Sequence, residues 1–429
     1  MRDFERLRAA QWLPPAEVEA KSREALSALL RWACAQVPYY KDFCGQAGLD
    51  PARVRAEDLP VFPLLTKRDL TERQERFLAS GRITSECVPD ATSGSTGLWF
   101  KFFSDRTAQN LRTAHGMLAD SWAGWLPGDK QAVLWGNPHE SEGARSLRGR
   151  MIATIVHRSM YLNTYDMDET VLAEFARRLR RWRPAVIRGY ASALAFLSEY
   201  LSRNGIDIAP PKGIISAAET LTDAFRASIE NYFGCKVLNR YGSRELSGIA
   251  QQCDQVAGLH VFSDRVHLEI VRPDGKSCEP EERGEIVVTS FDNRVMPFIR
   301  YRTGDLGRSQ DGTCACGRGF PLLAAVEGRT SELIVGRNGK YYSCLGRRFF
   351  GVDISGIEQM QVIQETLEDI EIRIVPNRDW SEESAVQLRT SVQTLLGDVH
   401  LKISLMEKIP SPPSGKYPFS ISKVSPFKT

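Results

Sequence analysis

From Ala25 to Trp32, and again from Arg68 to Phe77, apolar residues recur at helical spacing, and Pro38, Pro51, Pro60 and Pro63 interrupt the runs between them. This predicts a small helical lobe over about residues 1–80. Further on, the short apolar runs AVLWG (132–136), AVIRGY (185–190) and GIISAAE (213–219) each meet Gly or a polar loop. The amphipathic stretches SALAFLSEYLSRNG (192–205) and DAFRASIENYFG (223–234) lie after them. Strand, helix and strand in alternation predict an α/β core with a parallel sheet, whose loops at the strand carboxyl ends carry ligands.

The texture changes after Gly328. SELIVGRNGKYYS, DIEIRIVP, a helical EESAVQLRTSVQTLLG and HLKISLMEKI read as a compact α+β unit of about a hundred residues. The expected architecture is therefore α/β, with a large multi-sheet N-terminal domain over 1–328 and a small C-terminal α+β domain over 329–429. A chain of 429 residues is long enough for two cores.

Composition narrows the function classes. With 56 basic and 53 acidic residues interspersed, the formal charge is +3, which gives no broad footprint for nucleic acid. The N-terminus mixes charges of both signs and lacks the apolar core of a signal peptide, and no stretch reaches the roughly 20 apolar residues of a membrane span. A cytoplasmic protein without nucleic-acid or membrane partners is expected. Nine cysteines in such a chain read as reduced thiols or metal ligands rather than a disulfide framework.

Candidate chemistry lies in five segments. ATSGSTGLWFKF (91–102) has the glycines that let backbone N–H groups approach phosphate oxygens, with the hydroxyls of Ser93, Ser95 and Thr96 as further donors, but not the Lys-Ser/Thr ending of a Walker loop. By itself it fits a flexible surface turn equally well. NRYGSREL (239–246) combines an aromatic ring able to lie against a base with Glu245, a carboxylate able to hold Mg²⁺. In FIRYRTGDLG (298–307), Asp305 can accept hydrogen bonds from two ribose hydroxyls, although a charged turn after a strand reads the same way. EGRTSEL (327–333) places Arg329 at the domain boundary, and Lys416 stands alone in SPPSGKYPFS. No Ser/His/Asp arrangement has a diagnostic spacing.

In this order and at these intervals the five segments resemble the core motifs of the adenylate-forming superfamily, over nearly the whole chain. SAAET (216–220), GLH (258–260) and CACGR (314–318) resemble the phenylacetate-CoA ligases and the capsule-biosynthesis-like ligases. The resemblance implies an ATP-dependent, AMP-forming ligase that activates a carboxylic acid as its adenylate. Thr92, Ser93, Gly94, Ser95, Thr96 and Gly97 would wrap the β- and γ-phosphates. Ala218, Glu219 and Thr220 would line the adenine site with Asn239, Tyr241 and Gly242. Ser243 would face the α-phosphate and substrate carboxylate, and Glu245 the magnesium ion. Asp305 and Arg329 would hold the ribose, and Lys416 would bridge the carboxylate and the α-phosphate. The small domain would be mobile, turning between the two half-reactions.

One departure bears on the acyl acceptor. An Asp pair usually follows the GRx of the hinge in that family, whereas this chain has Ser331 and Glu332. Coenzyme A is the expected co-substrate, and an amine or hydroxyl acceptor its rival; a degenerate protein that binds nucleotide without turnover is a third reading. Relatives of this size are often dimers, so a homodimer is expected.

Cys253, His260, Cys314 and Cys316 form a potential Cys₃His set for a structural zinc ion, against the alternative of buried free thiols. His267, the competing ligand, alternates with Val266 and Leu268 and is assigned to the outer face of a strand. Cys34, Cys44, Cys87, Cys235, Cys278 and Cys344 share no spacing and read as small core residues. Trp135 and Tyr190, in WGNPH and RGYAS, suit either the acyl pocket or the core.

Overall fold

The computed structural model describes residues 1–81, 87–91, 100–135, 154–155, 158–164, 167, 169–329, 333–337, 341–343, 354–409 and 419–424. The chain divides into two compact units, one of Met1–Thr303 with Arg308–Ala325, the other of Gly304–Gly307 with Val326–Thr429.

The larger unit opens with five helices: α1 (Arg2–Ala10), α2 (Pro15–Gln36), α3 (Pro38–Ala47), α4 (Lys67–Glu72) and α5 (Gln74–Phe77). Pro15 and Pro38 start their helices, where a missing N–H costs nothing, and Gly48 at φ 67° stops α3. Cys34 and Cys44 correct the sequence reading of isolated thiols. They form a disulfide between α2 and α3, because the corner at Pro38 brings their Cα atoms to 6.2 Å.

Strands β1 (Val88–Ala91) and β2 (Lys101–Ser104) form an antiparallel ribbon, followed by α6 (Arg106–Trp122), which Asp105 caps. Then come β3 (Gln131–Leu134), β4 (Ser159–Leu162), α7 (Glu169–Trp182), β5 (Val186–Gly189), α8 (Ala191–Arg203), β6 (Gly213–Ala217), α9 (Asp223–Phe233) and β7 (Val237–Ser243). The remaining strands of this run are β8 (Ser247–Gln252), β9 (Leu259–Val261), β10 (Val266–Val271), β11 (Gly284–Ser290), β12 (Tyr301–Gln310) and β13 (Leu322–Arg329). One sheet of eleven strands has the order β10-β11-β12-β13-β9-β8-β7-β6-β5-β3-β4. From β4 to β7 the neighbours are parallel, and β7 turns back antiparallel onto β8.

The apolar runs of β5, β6 and β7 are continuous because both faces are covered. Ile187, Ile214 and Val237 enter one core with Leu172, Phe175 and Leu179 of α7 and Leu194, Leu197 and Leu201 of α8. Their neighbours Val186, Ile215 and Leu238 enter the other, with Leu7 of α1 and Leu118 and Trp122 of α6. The period of two thus assigns successive residues to opposite layers. Truncating a fully buried residue such as Leu197 to Ala should cost about 2–5 kcal/mol.

The smaller unit holds a two-stranded ribbon, β14 (Leu333–Val335) with β15 (Tyr341–Ser343), and a four-stranded sheet. That sheet has the order β18-β17-β16-β19, from β16 (Ile357–Gln364), β17 (Asp369–Pro376), β18 (His400–Leu405) and β19 (Ser420–Ser422). Helix α10 (Glu382–Leu396) crosses between the parallel strands β17 and β18, laying Leu388, Val392 and Leu396 on Val362, Ile372 and Ile374. Among the described residues no helix is long and apolar enough to cross a membrane.

Candidate active site and metal knuckle

The carboxyl end of β6 and the β7–β8 hairpin carry eight of the sequence-predicted adenylation residues: Ala218, Glu219, Thr220, Asn239, Tyr241, Gly242, Ser243 and Glu245. Ala217 pairs with Arg240 in the sheet register, so Ala218 to Thr220 leave β6 beside the Asn239–Ser243 stretch of β7. Ala218 holds φ 66°, a conformation that costs a residue with a Cβ. The Glu219 carboxylate accepts from the backbone N–H of Ser192 (2.9 Å) and from its hydroxyl (2.7 Å), so it caps α8. A backbone feature and a helix cap therefore stand where the sequence suggested a simple side-chain lining.

The hairpin is rigidly built. Ser243 pairs with Ser247, leaving a three-residue loop closed by Ser247 at φ 59°. A Cβ on Gly242 would lie 2.3 Å from the Ser247 carbonyl oxygen, so the register shift at Tyr241/Gly242 requires glycine. The fully buried Arg265 donates to the carbonyls of Leu246 (2.6 Å) and Gly248 and to Asp292 (2.8 Å), which pins the hairpin from below. Ser243 Oγ accepts from the N–H of Leu246 at 3.2 Å, which leaves its own proton to donate.

Two tyrosines orient the tip. The Tyr241 hydroxyl donates to Thr303 Oγ1 at 3.2 Å, and Thr303 donates in turn to the Ile286 carbonyl at 2.9 Å, fixing the ring edge-on. The Tyr301 hydroxyl donates to Glu245 Oε1 at 3.1 Å, with both residues buried. Arg244 donates to Asp90 Oδ1 at 3.0 Å, so the stem of the β1–β2 ribbon, from which 92–99 departs, is tied to the same hairpin. These three pairings escaped sequence reasoning, since each joins residues at least 56 positions apart. Tyr190 is core, and Trp135 packs on it half-buried, ring centroids 4.4 Å apart.

Of the other predicted residues, Asn239 has its N–H on Gln252 Oε1 at 3.0 Å, and Asp305 is buried on β12. Arg329 ends β13. Thr92 to Gly97, Ser331, Glu332 and Lys416 lie outside the described residues, as does Cys344.

The knuckle is a second cluster. The donor atoms of Cys253, His260, Cys314 and Cys316 lie within 4.8 Å of one another. Cys253 and Cys314 sulfurs are 3.6 Å apart, and Cys316 Sγ is 3.4 Å from His260 Nε2. Burial, then the Arg318 charge, pushes the His260 imidazole down to about 4, which keeps it a neutral donor. Burial pushes the Cys253 thiol up to about 12. At Cys316 burial opposes ionisation, but hydrogen bonds from Arg318 and the neighbouring thiols outweigh it and lower the thiol. The N–H groups of Gln255 and Arg318 each point at a sulfur from 3.4 Å, as donors do around metal thiolates. His267 is outside the cluster.

Arg318 also reaches the N-terminus. Its guanidinium lies between the rings of Trp12 (4.8 Å) and Trp122 (4.6 Å) and donates to Gln11 Oε1 at 3.0 Å.

Comparison with known proteins shows what the chain is similar to. The family model of the CapK C-terminal domain matches residues 345–423. The phenylacetate-coenzyme A ligase of Pseudomonas putida is 28% identical, over 89% of this chain and 84% of that protein. Protein CapK of Staphylococcus aureus is 21% identical, over 90% and 85%. The chain is a relative of the phenylacetate-CoA ligases and of CapK. The fold of this relative is that of the adenylate-forming ligases: 2-hydroxyisobutyryl-CoA ligase in its postadenylation state superposes with a TM-score of 0.73 at 20% identity, covering 96% of this chain and 91% of that one. The amide bond synthetase McbA of Marinactinospora thermotolerans matches with 0.53 at 16% identity, over 78% and 68%.

Proposed function

We propose that this chain activates a carboxylic acid, with aryl acids the leading candidates, using ATP to form the acyl adenylate and pyrophosphate, and then transfers the acyl group to coenzyme A. The observation that carries this is the hairpin tip. Tyr241, Ser243 and Glu245 are fixed side by side there, next to the left-handed Ala218 and the tethered stem of the Ser/Thr/Gly segment.

In the first step a carboxylate oxygen bonds to the α-phosphorus and the bond to pyrophosphate breaks. The reacting groups are both anionic, so they must be neutralised and held in line. Thr92 to Gly97 bind the outer phosphates. Ala218, Glu219, Thr220, Asn239, Tyr241 and Gly242 frame adenine, and Asp305 and Arg329 hold the ribose. Ser243 donates toward the α-phosphate, and Lys416 places its ammonium between carboxylate and phosphate. Glu245 would hold Mg²⁺, which when bound would supply charge neutralisation. In the second step the thiol sulfur bonds to the acyl carbon and AMP leaves.

The domain division at about residue 328, with turning of the smaller domain about Arg329, belongs to the same reading, as do a cytoplasmic homodimer and structural zinc on Cys253, His260, Cys314 and Cys316. Three thiols and a neutral imidazole facing one another suit zinc, and four protein donors leave no place for a reacting water.

The test is pyrophosphate release from ATP and Mg²⁺ over a panel of aryl and aliphatic acids, with and without coenzyme A. Release that rises with coenzyme A is expected; silence across the panel would defeat the reading. A second acceptor class, amines or hydroxyls, is favoured by the hinge sequence Ser331-Glu332. Strict dependence on coenzyme A would remove it.

A further inference from the structure

The parallel strands β6, β5, β3 and β4 are successive neighbours, and all begin at the edge of the sheet opposite the adenylation residues. Each is preceded by a cation: Lys212 before β6, Arg183 before β5, Lys130 before β3 and Arg158 before β4. These four side chains, with Asp129, line a cavity of about 340 Å³. The frame is fixed by main-chain bonds that continue the ladder, Gln131 N–H to Arg158 O (2.9 Å), Ala185 N–H to Lys130 O (2.8 Å) and Lys212 N–H to Ala185 O (2.7 Å).

The charges are not balanced locally. Asp129 is already engaged, accepting from Lys212 Nζ at 3.0 Å and from the Leu126 N–H at 3.1 Å. Lys130 lies over the Trp182 ring, 4.8 Å from its centroid. Asp129 also feels the Arg158 charge, and among the described residues no carboxylate lies within ion-pair distance of Arg183 or Lys130. A cation after a helix is ordinary, and Arg183 follows α7. That does not account for Arg158 or Lys130, which enter the same cavity from loops between other elements.

Backbone conformation supplies a second, independent observation. Arg158 and Arg183 both hold φ 47°, the left-handed region that glycine enters freely and a residue with a Cβ does not. Arg183 closes α7, its N–H on Leu179 O at 2.9 Å, where a left-handed residue is a common helix ending. Arg158, at the mouth of β4, has no helix to end, and its conformation matches the way binding sites store strain. Guanidinium groups present forked donors suited to phosphate oxygens, and a lysine adds a point charge.

We propose that this cavity binds a phosphate-bearing small anion, separately from ATP. The separation is geometric: the strands run about four residues at roughly 3.3 Å each between the two edges, so both sites can be filled at once.

The experiment titrates inorganic pyrophosphate, and in a parallel arm the phosphate ester glycerol 3-phosphate, into the full chain at low ionic strength. The nucleotide site is held with saturating ATP in the absence of any acid, which fills the outer-phosphate positions as well, and heat and tryptophan emission are followed, Trp182 being the ring beside the cavity. Chloride at matched ionic strength controls for screening. The comparison protein carries Arg158→Gly and Arg183→Gly, which accept φ 47° without strain and should leave the melting temperature equal or higher. Saturable binding in the parent, weakened at least about tenfold in the double variant while acid-dependent ATP–pyrophosphate exchange is retained, is the expected result. The two arms tell an inorganic ligand from a phosphorylated metabolite. Should the glycine variant melt lower, Arg158→Gln with Arg183→Gln decides by the same titration. Identical isotherms in parent and variant, no saturable binding in either arm, or quenching that chloride reproduces would each overturn the proposal.

Discussion

At the tip of the β7–β8 hairpin, Glu245 is buried and accepts from the Tyr301 hydroxyl, which uses one of a carboxylate's several acceptor positions. At the knuckle, four donors turn toward one another and backbone N–H groups cover the sulfurs from outside. Both regions bury polar atoms that would each cost roughly 1–3 kcal/mol if left without partners. On the proposed reading a ligand would complete the hairpin transiently, with Gly242 and Arg265 holding its backbone in place. The knuckle is arranged to be completed once and stay closed. Buried polarity alone therefore does not distinguish a reacting site from a structural one; the direction in which free lone pairs point does.

The contrast breaks most sharply at Lys416. Lys416→Ala should lower adenylation by about 10² to 10³, as loss of a preorganised charge does, with an unchanged melting temperature. Unaltered exchange of pyrophosphate into ATP would remove this lysine from the reaction. The knuckle should answer in the opposite currency: Cys314→Ser should abolish bound zinc, measured by elemental analysis, and lower stability by roughly 3–5 kcal/mol, while turnover of the protein that remains folded changes little. A loss of turnover without a loss of stability would put the knuckle in the chemistry.

Gly242→Ala sharpens the same contrast from within the hairpin. With 2.3 Å to the Ser247 oxygen, the extra methyl forces the tip to move, at about 1–3 kcal/mol, and should reduce turnover more than it reduces the melting temperature. The smallest effect belongs to Tyr301→Phe, which removes one hydrogen bond worth about 1 kcal/mol. We expect a several-fold rise in the Mg²⁺ concentration at half-maximal rate, with the maximal rate nearly unchanged. A change confined to the maximal rate would mean that Tyr301 supports the fold and not the carboxylate.

Much of this was legible along the chain. The alternation of AVIRGY and GIISAAE with amphipathic segments announced β5, α8 and β6, because burial on both faces leaves a continuous apolar run. The knuckle was legible too, since Cys and His are rare enough for their spacing to speak. Tyr301 was not, although it lies within a segment singled out for Asp305, because its partnership with Glu245 depends on how distant strands meet. Glu219 illustrates a different blindness: a carboxylate near a helix start can cap that helix, and only the register of β6 against α8 reveals it. Cys34 and Cys44, ten residues apart, read as small core residues and are fully buried, but their pairing depends on how α2 and α3 fold back at Pro38, which spacing alone does not show.

The seat of Arg318 between Trp12 and Trp122 gives the first dozen residues a reporting role. Arg318 also gives its N–H to Cys316 Sγ, so zinc held at the knuckle as proposed would tie that guanidinium to the cluster; removing the ion should then release the N-terminal segment, and a protease that trims there would read out, molecule by molecule, how much of a preparation holds metal.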